Sequence, residues 1–251
     1  MNIPAIKDLL FKIADDQLIL GHRSSEWIGL GPLLEEDIAF ASKAQDKVGQ
    51  SLAFYKLLEE LGEADPDITA FSRDASNFHN STFVELPNGE FDFSMIRHFL
   101  FDNAEFLRFE ALSKSSYQPL SNLAHKLKGE IQYHIMHANE WIKQLGNADA
   151  ETVARMQEQL DYAMPFALGV FEPSNFEDVL ISDGVFSGEK ALQSAWQERI
   201  SAVIAETQLI LPSIEGSKPE YGGRYGKHTE HLQPLLTEMG EVIQSDQSAE
   251  W

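Results

Sequence analysis

Apolar positions recur with helical spacing over most of this chain. Between residues 5 and 20 they fall at Ile6, Leu9, Leu10, Ile13 and Leu20. Recurrence at i+3, i+4 and i+7 puts them on one face of an α-helix, and Gly21 reads as its stop. The stretch GHRSSEWIGLGP follows as a loop, with Pro32 just before the next periodic run. That run predicts a long helix over 33–61, closed by Gly62. A Phe-rich helix is expected over 93–113 and a fourth long one over 117–145, closed by Gly146-Asn147. Shorter helices are expected at 149–168, 189–207 and 229–245.

Two interruptions break the helical pattern. Asn88-Gly89 sits between short alternating stretches in FVELPNGEFDF, the signature of a β-hairpin. Residues 212–228 are rich in Gly and Pro and predict an irregular arm, either mobile or lying on a neighbour. No repeat of fixed period is visible. The expected architecture is all-α: one domain over 1–251, with an antiparallel four-helix bundle over about 3–145 and a helical extension with its arm over about 149–251.

Charge narrows the function classes. Lys+Arg number 19 against 40 Asp+Glu, a net charge of −21 over 251 residues. Such a polyanion is a poor nucleic-acid binder, because that affinity comes from phosphate neutralisation. An anionic cofactor such as coenzyme A is repelled for the same reason. The acidic surface suits solubility, a salty habitat, or docking on a basic partner. The absence of Cys removes disulfides, thiolate metal sites and cysteine nucleophiles. Asp8, Asp15 and Asp16 interrupt the N-terminal apolar residues, unlike a secretory signal. No run approaches the ~20 apolar residues of a membrane span. The expectation is a cytoplasmic protein that contacts neither membrane nor nucleic acid.

A four-helix bundle with buried acids raises the question of a di-iron centre. That chemistry takes a carboxylate from each of two helices and a Glu-x-x-His pair from each of the other two. All eight histidines can be tested. Three residues before them stand Ile19, Ser76, Met95, Asn122, Ile131, His134, Tyr225 and His228, none of them acidic. A standard site is therefore not expected. An order of acids survives nonetheless: Asp15 or Asp16, Asp46, Asp102 or Glu105, and Glu130, with Gly49 and Tyr133 at the i+3 slots. The degenerate-site candidates are Asp15, Asp46, Glu105, Glu130 and His134. Acids are frequent enough here for such an order to arise without any metal ancestry.

GEIQYHIMHANEW concentrates the question. At about 100° per residue, His134 and His137 lie within about 40° of Glu130 on the helix. A ligand set spread over nearly two turns is long for one ion. The alternative is a polar network in which Glu130 pairs with His134 or with a facing helix, and His137 faces a partner. His228, Glu230 and His231 are either a weak chelating set or a capped helix start. Arg23, Glu26 and Trp27 suit an interface anchor or a loop clamp equally. No nucleophile elbow, Walker motif or GxGxxG is present.

Several stretches together resemble a known family: LGHRSSEW, LEEDIAFASKAQDKVGQ, FSRDASNFHN, VELPNGEF, EIQYHIMHANEWIKQLGN and GGRYGKHTEHLQPLLTEM. They are similar to the C subunits of bacterial phenylacetyl-CoA ring-epoxidising monooxygenases, in the same order along nearly the whole chain. The resemblance implies a ferritin-like bundle and a structural, non-catalytic subunit of phenylacetate catabolism. It implies a paralogous di-iron catalytic subunit as partner, and a reductase subunit with FAD, an iron–sulfur cluster and NADPH. It implies no cofactor, metal or catalytic residue on this chain. Arg23, Glu26, Trp27, His228, Glu230 and His231 are then interface candidates, and an isolated chain could form a homodimer. The alternatives left open are an active di-iron oxygenase with unusual ligands and a helical adaptor of another pathway.

Overall fold

The computed structural model describes residues 1–214 and 216–245. Glu215, in the predicted arm, and residues 246–251 of the predicted extension lie outside the described residues. No strand occurs among the described residues. Four long helices form the bundle: α1 (Ile3–Ser25), α2 (Leu34–Glu60), α5 (Phe91–Leu112) and α6 (Gln118–Leu145). Short helices α3 (Pro66–Phe71) and α4 (Thr82–Glu85) punctuate the crossover between α2 and α5. Four more follow: α7 (Ala150–Gly169), α8 (Glu177–Ser182), α9 (Glu189–Ile204) and α10 (Leu232–Ser245).

Side-chain pairings set the directions. Gln17 meets Glu105 while Ser24 meets His98, so α1 and α5 run antiparallel. Gln50 meets Glu130 while Glu36 meets His137, so α2 and α6 are antiparallel as well. Phe40 packs on His98 and Phe54 on Phe109, which makes α2 and α5 parallel, as the long crossover requires. Two antiparallel hairpins joined by one crossover is the ferritin-like arrangement. Leu10, Ile13, Phe54, Phe99, Phe109 and Ile131 are among the buried residues at its centre. Trp196 of α9 is fully buried and donates from Nε1 to the Leu100 carbonyl at 2.8 Å, fastening the extension to α5.

Three expectations need correction. Gly21 does not end α1, which continues to Ser25. Its role is proximity: a Cβ there would come within 3.0 Å of Val48 Cγ2, so glycine lets α1 and α2 approach closely. No hairpin forms at Asn88-Gly89. Thr82–Glu85 is helical with all four residues buried, so the apparent alternation has no exposed face to serve. Asn88 instead makes a corner. Its Nδ2 donates to the Arg23 carbonyl at 2.7 Å and to Glu26 Oε2 at 2.9 Å, while Arg97 donates to its Oδ1. The arm lies on its own chain. Glu220 N donates to the Pro165 carbonyl at 3.0 Å, and Arg224 is buried in the bundle.

Candidate functional site

The bundle interior holds a continuous file of charged and polar side chains. α2 turns Lys43 and Lys47 inward, one turn apart and both fully buried. Lys47 Nζ donates to Asp102 Oδ1 at 2.8 Å, lies 3.5 Å from Gln17 Oε1, and sits 5.0 Å from the Phe101 ring centre. Asp102 Oδ2 is 3.0 Å from His98 Nδ1, and His98 Nε2 is 3.3 Å from Ser24 Oγ. In the other direction, Gln17 Nε2 donates to Glu105 Oε2 at 2.6 Å and Arg108 Nε to Glu105 Oε1 at 3.1 Å. Arg108 Nη1 continues to Glu189 Oε1 at 2.6 Å, where Lys12 also donates. The file thus runs from the end of α1 to the start of α9.

The charge states follow from burial and pairing. Burial works against ionised Asp102, but Lys47, His98 and Lys43 outweigh it and hold its carboxyl well below the usual range. Burial likewise opposes the charge on Glu189, and Arg108 and Lys12 overcome it, bringing it down to about 2. Burial, with Lys43 nearby, pushes the His98 imidazole well below its ordinary value. Burial brings Lys43 down to about 8; its Nζ has no hydrogen-bond partner among the described residues.

The sequence candidates are dispersed. Asp15 is taken by Arg73 at 2.5 Å, the Tyr55 hydroxyl at 2.6 Å and the His79 amide at 2.7 Å. Asp16 is held by Arg224. Asp46 is partly exposed and pairs with His134 Nε2 at 3.0 Å. Glu130 accepts from Gln50 Nε2 at 3.0 Å, so the facing helix, and not His134, is its partner. His137 pairs with Glu36 at 3.1 Å, beside Trp141 Nε1, which donates to the same carboxylate at 2.9 Å. Asp15, Asp46, Glu105, Glu130 and His134 therefore do not converge on a point. Among the described residues no group of three or more His, Asp or Glu is arranged for a metal ion.

The i+3 slots read from Asp46 and Glu130 also prove one residue out of register. Gly49 is exposed, and a Cβ there would touch nothing within 4 Å. Tyr133 is 45% exposed. The inward positions are Lys47 and Gln50 on α2, and Ile131 and His134 on α6. Reasoning from acids alone missed Lys47, Lys43, His98 and Arg108. The signal was present: Lys43 and Lys47 share the helical face of Phe40, Ala44 and Phe54.

The interface candidates divide. Arg23 donates to Glu26 at 2.7 Å and to the Glu85 carbonyl at 2.9 Å, and Trp27 Nε1 donates to Ser94 Oγ at 2.8 Å, so these three clamp the end of α1 and its loop to the crossover and to the start of α5. His228 lies 2.8 Å from Glu85 Oε2 and 3.0 Å from the Phe78 carbonyl, which locks the end of the arm. Glu230 is exposed and His231 half-buried.

A family model described as phenylacetic acid catabolic protein matches residues 2–251. The chain belongs to that family. The C subunit of the 1,2-phenylacetyl-CoA epoxidase of Escherichia coli (strain K12) is 33% identical over 229 residues, covering 91% of this chain and 92% of that protein. For a member of the family with this bundle, the inward residues are the informative part. Lys47 and Ile131 stand at the inward positions where a paired carboxylate would be required, Gln50 where a histidine would be, and Gln17 faces inward on α1, and that donor set does not fit a di-iron group. Among the described residues no helix is long and apolar enough to cross a membrane.

Proposed function

We propose that this chain is the non-catalytic, structural subunit of a phenylacetyl-CoA epoxidase, and that it pairs with and stabilises a di-iron catalytic subunit. The observation that carries this reading is the Lys47–Asp102 ion pair at the centre of the bundle, fully buried on both sides. A bundle whose buried Asp102, Glu105, Glu189 and Asp16 carboxylates are taken by its own lysines and arginines leaves those oxygens unavailable as ligands for a di-iron centre that would bind dioxygen. It keeps the shape of the fold without its chemistry. The catalytic partner has to bury several acids and keep a substrate channel, both of which weaken a core. A filled bundle docked along it restrains its helices.

The surface supports pairing. Leu34, Ile38, Val48 and Leu52 are 70%, 62%, 45% and 40% exposed on one flank of α2, and Tyr133 and Met136 are 45% and 56% exposed on α6. Exposed apolar side chains on two bundle helices of an acidic protein suit an interaction face. The reductase subunit and its FAD, iron–sulfur and NADPH chemistry belong to the same assembly on this reading, and the cytoplasm is its compartment.

Co-expression with the candidate catalytic subunit tests the role. The two chains are expected to co-purify, with iron on the partner and phenylacetyl-CoA turnover lost when this chain is omitted. Two iron atoms bound per copy of this chain would overturn the proposal in favour of an active oxygenase.

A further inference from the structure

The di-iron pattern of a carboxylate, a Glu-x-x-His pair, a carboxylate and a second Glu-x-x-His pair maps onto the inward positions one for one. Gln17 is the single residue from α1 and Asp102 the single residue from α5. Lys47 with Gln50 is the spaced pair of α2, and Ile131 with His134 that of α6. Gln17, Lys47, Asp102, Ile131 and His134 are fully buried, and Gln50 is 1% exposed. Only Asp102 and His134 are of ligand type. Two contacts show convergence at Lys47, to Asp102 at 2.8 Å and to Gln17 at 3.5 Å, and His134, fully buried on α6, feels the charges of both Lys47 and Asp102.

We propose that the Lys47 ammonium, held between Asp102 and Gln17, is the resident cation of this interior in place of a metal ion, and that Lys47 itself excludes transition metals from the bundle. The argument is electrostatic and steric together. Asp102 needs a positive charge in a fully buried site, and Lys47 supplies it from within the chain. A divalent ion brought to Asp102 and His134 would lie a few ångströms from a fixed ammonium with no lone pair to offer. Like charges that close in a buried site repel strongly. The protein thereby becomes independent of metal loading for its folded state. This shares with the proposed role only the absence of a bound metal. Iron content of the native chain tests the role, whereas Lys47 variants test the inference.

The experiment compares two full-length variants purified in the presence of Co²⁺. One carries Gln17→Glu, Gln50→His and Ile131→Glu with Lys47 kept; the other adds Lys47→Glu. Bound cobalt is measured by metal analysis and visible absorption, and folding by circular dichroism. The four-fold variant is expected to hold about two ions per chain, as the paired pattern requires. The three-fold variant is expected to hold at least about tenfold less, given the repulsion at Lys47. Equal binding by the two would overturn the proposal, as would a folded four-fold variant that binds no metal. If the four-fold variant does not fold, a cycle in the native chain decides. Lys47→Met is expected to lower Tm by about 10 °C by leaving the buried Asp102 charge without its ion-pair partner and with His98 as its remaining hydrogen bond, and Lys47→Met/Asp102→Leu to recover most of that loss. Simple addition of the two single effects would overturn it.

Discussion

Arg224 and Asp16 are joined by two parallel hydrogen bonds of 2.8 Å, across 208 residues of chain and with both side chains almost completely buried. The same guanidinium donates to the His79 carbonyl at 2.9 Å and the Val170 carbonyl at 3.0 Å. It therefore ties the arm, the crossover, α1 and the end of α7 at one point. Removing either partner leaves an uncompensated buried charge. Arg224→Ala is expected to cost about 3–5 kcal/mol in urea unfolding. Arg224→Lys should lose much of the same, because an ammonium cannot make the two-pronged contact.

Two glycines make opposite predictions. A Cβ at Gly169 would lie 2.3 Å from the Glu220 carbonyl oxygen, which is backbone and cannot swing away. Gly169→Ala is expected to cost about 1–3 kcal/mol and to displace the arm. The check is faster proteolytic cleavage between residues 212 and 222. Gly49 has open space around its Cβ position in the middle of α2. Gly49→Ala is expected to gain up to about 1 kcal/mol through helix propensity.

Stability should fall in two steps on acidification. His98 sits well below its ordinary 6.5 because burial, and then Lys43, disfavour its charged form. A folded value below the unfolded one means that the unfolded chain takes up the proton first. Stability is then intact above pH 6.5 and falls as pH drops below it. His134 and His137 shift in the same direction, through burial first. The second step belongs to carboxylates. Glu189 falls from 4.5 to about 2, so its contribution is complete above pH 4.5 and lost as pH approaches 2. Urea midpoints measured from neutral pH downwards should show both steps. His98→Asn, whose amide can still donate to Asp102, should flatten the upper one.

The exposed apolar residues of α2 and α6 separate docking from folding. Ile38→Asp and Met136→Asp change residues 62% and 56% exposed. Each is expected to alter stability by no more than about 0.5 kcal/mol. On the proposed role, each should abolish co-purification with the catalytic subunit. Retained co-purification by the double variant would place the partner on another face.

The long helices were legible to within a few residues because each buries an apolar stripe whose period is local. The short helices α3, α4 and α8 were not, since four to six residues show no period. Asn88-Gly89 misled because an Asn-Gly pair makes a corner as readily as a hairpin. Which of the two forms depends on Arg23, Glu26 and Arg97, more than sixty residues away in two of the three cases. The candidate site was half legible. The lack of any Glu-x-x-His was plain in the chain, yet spacing counted from the acids places the inward register one residue early.

By itself the sequence determined the helices, their bundle and the lack of ligand pairs, because periodicity and spacing are properties of neighbouring residues. Only the tertiary structure decided which polar side chains face inward. A shift of one residue turns a side chain by about 100° about the helix axis, from the core to solvent. Asp46 and Lys47 are adjacent in the chain, and the helices facing them, α5 and α6, set their roles. One pairs with His134 at the edge of the bundle, and the other is the buried partner of Asp102.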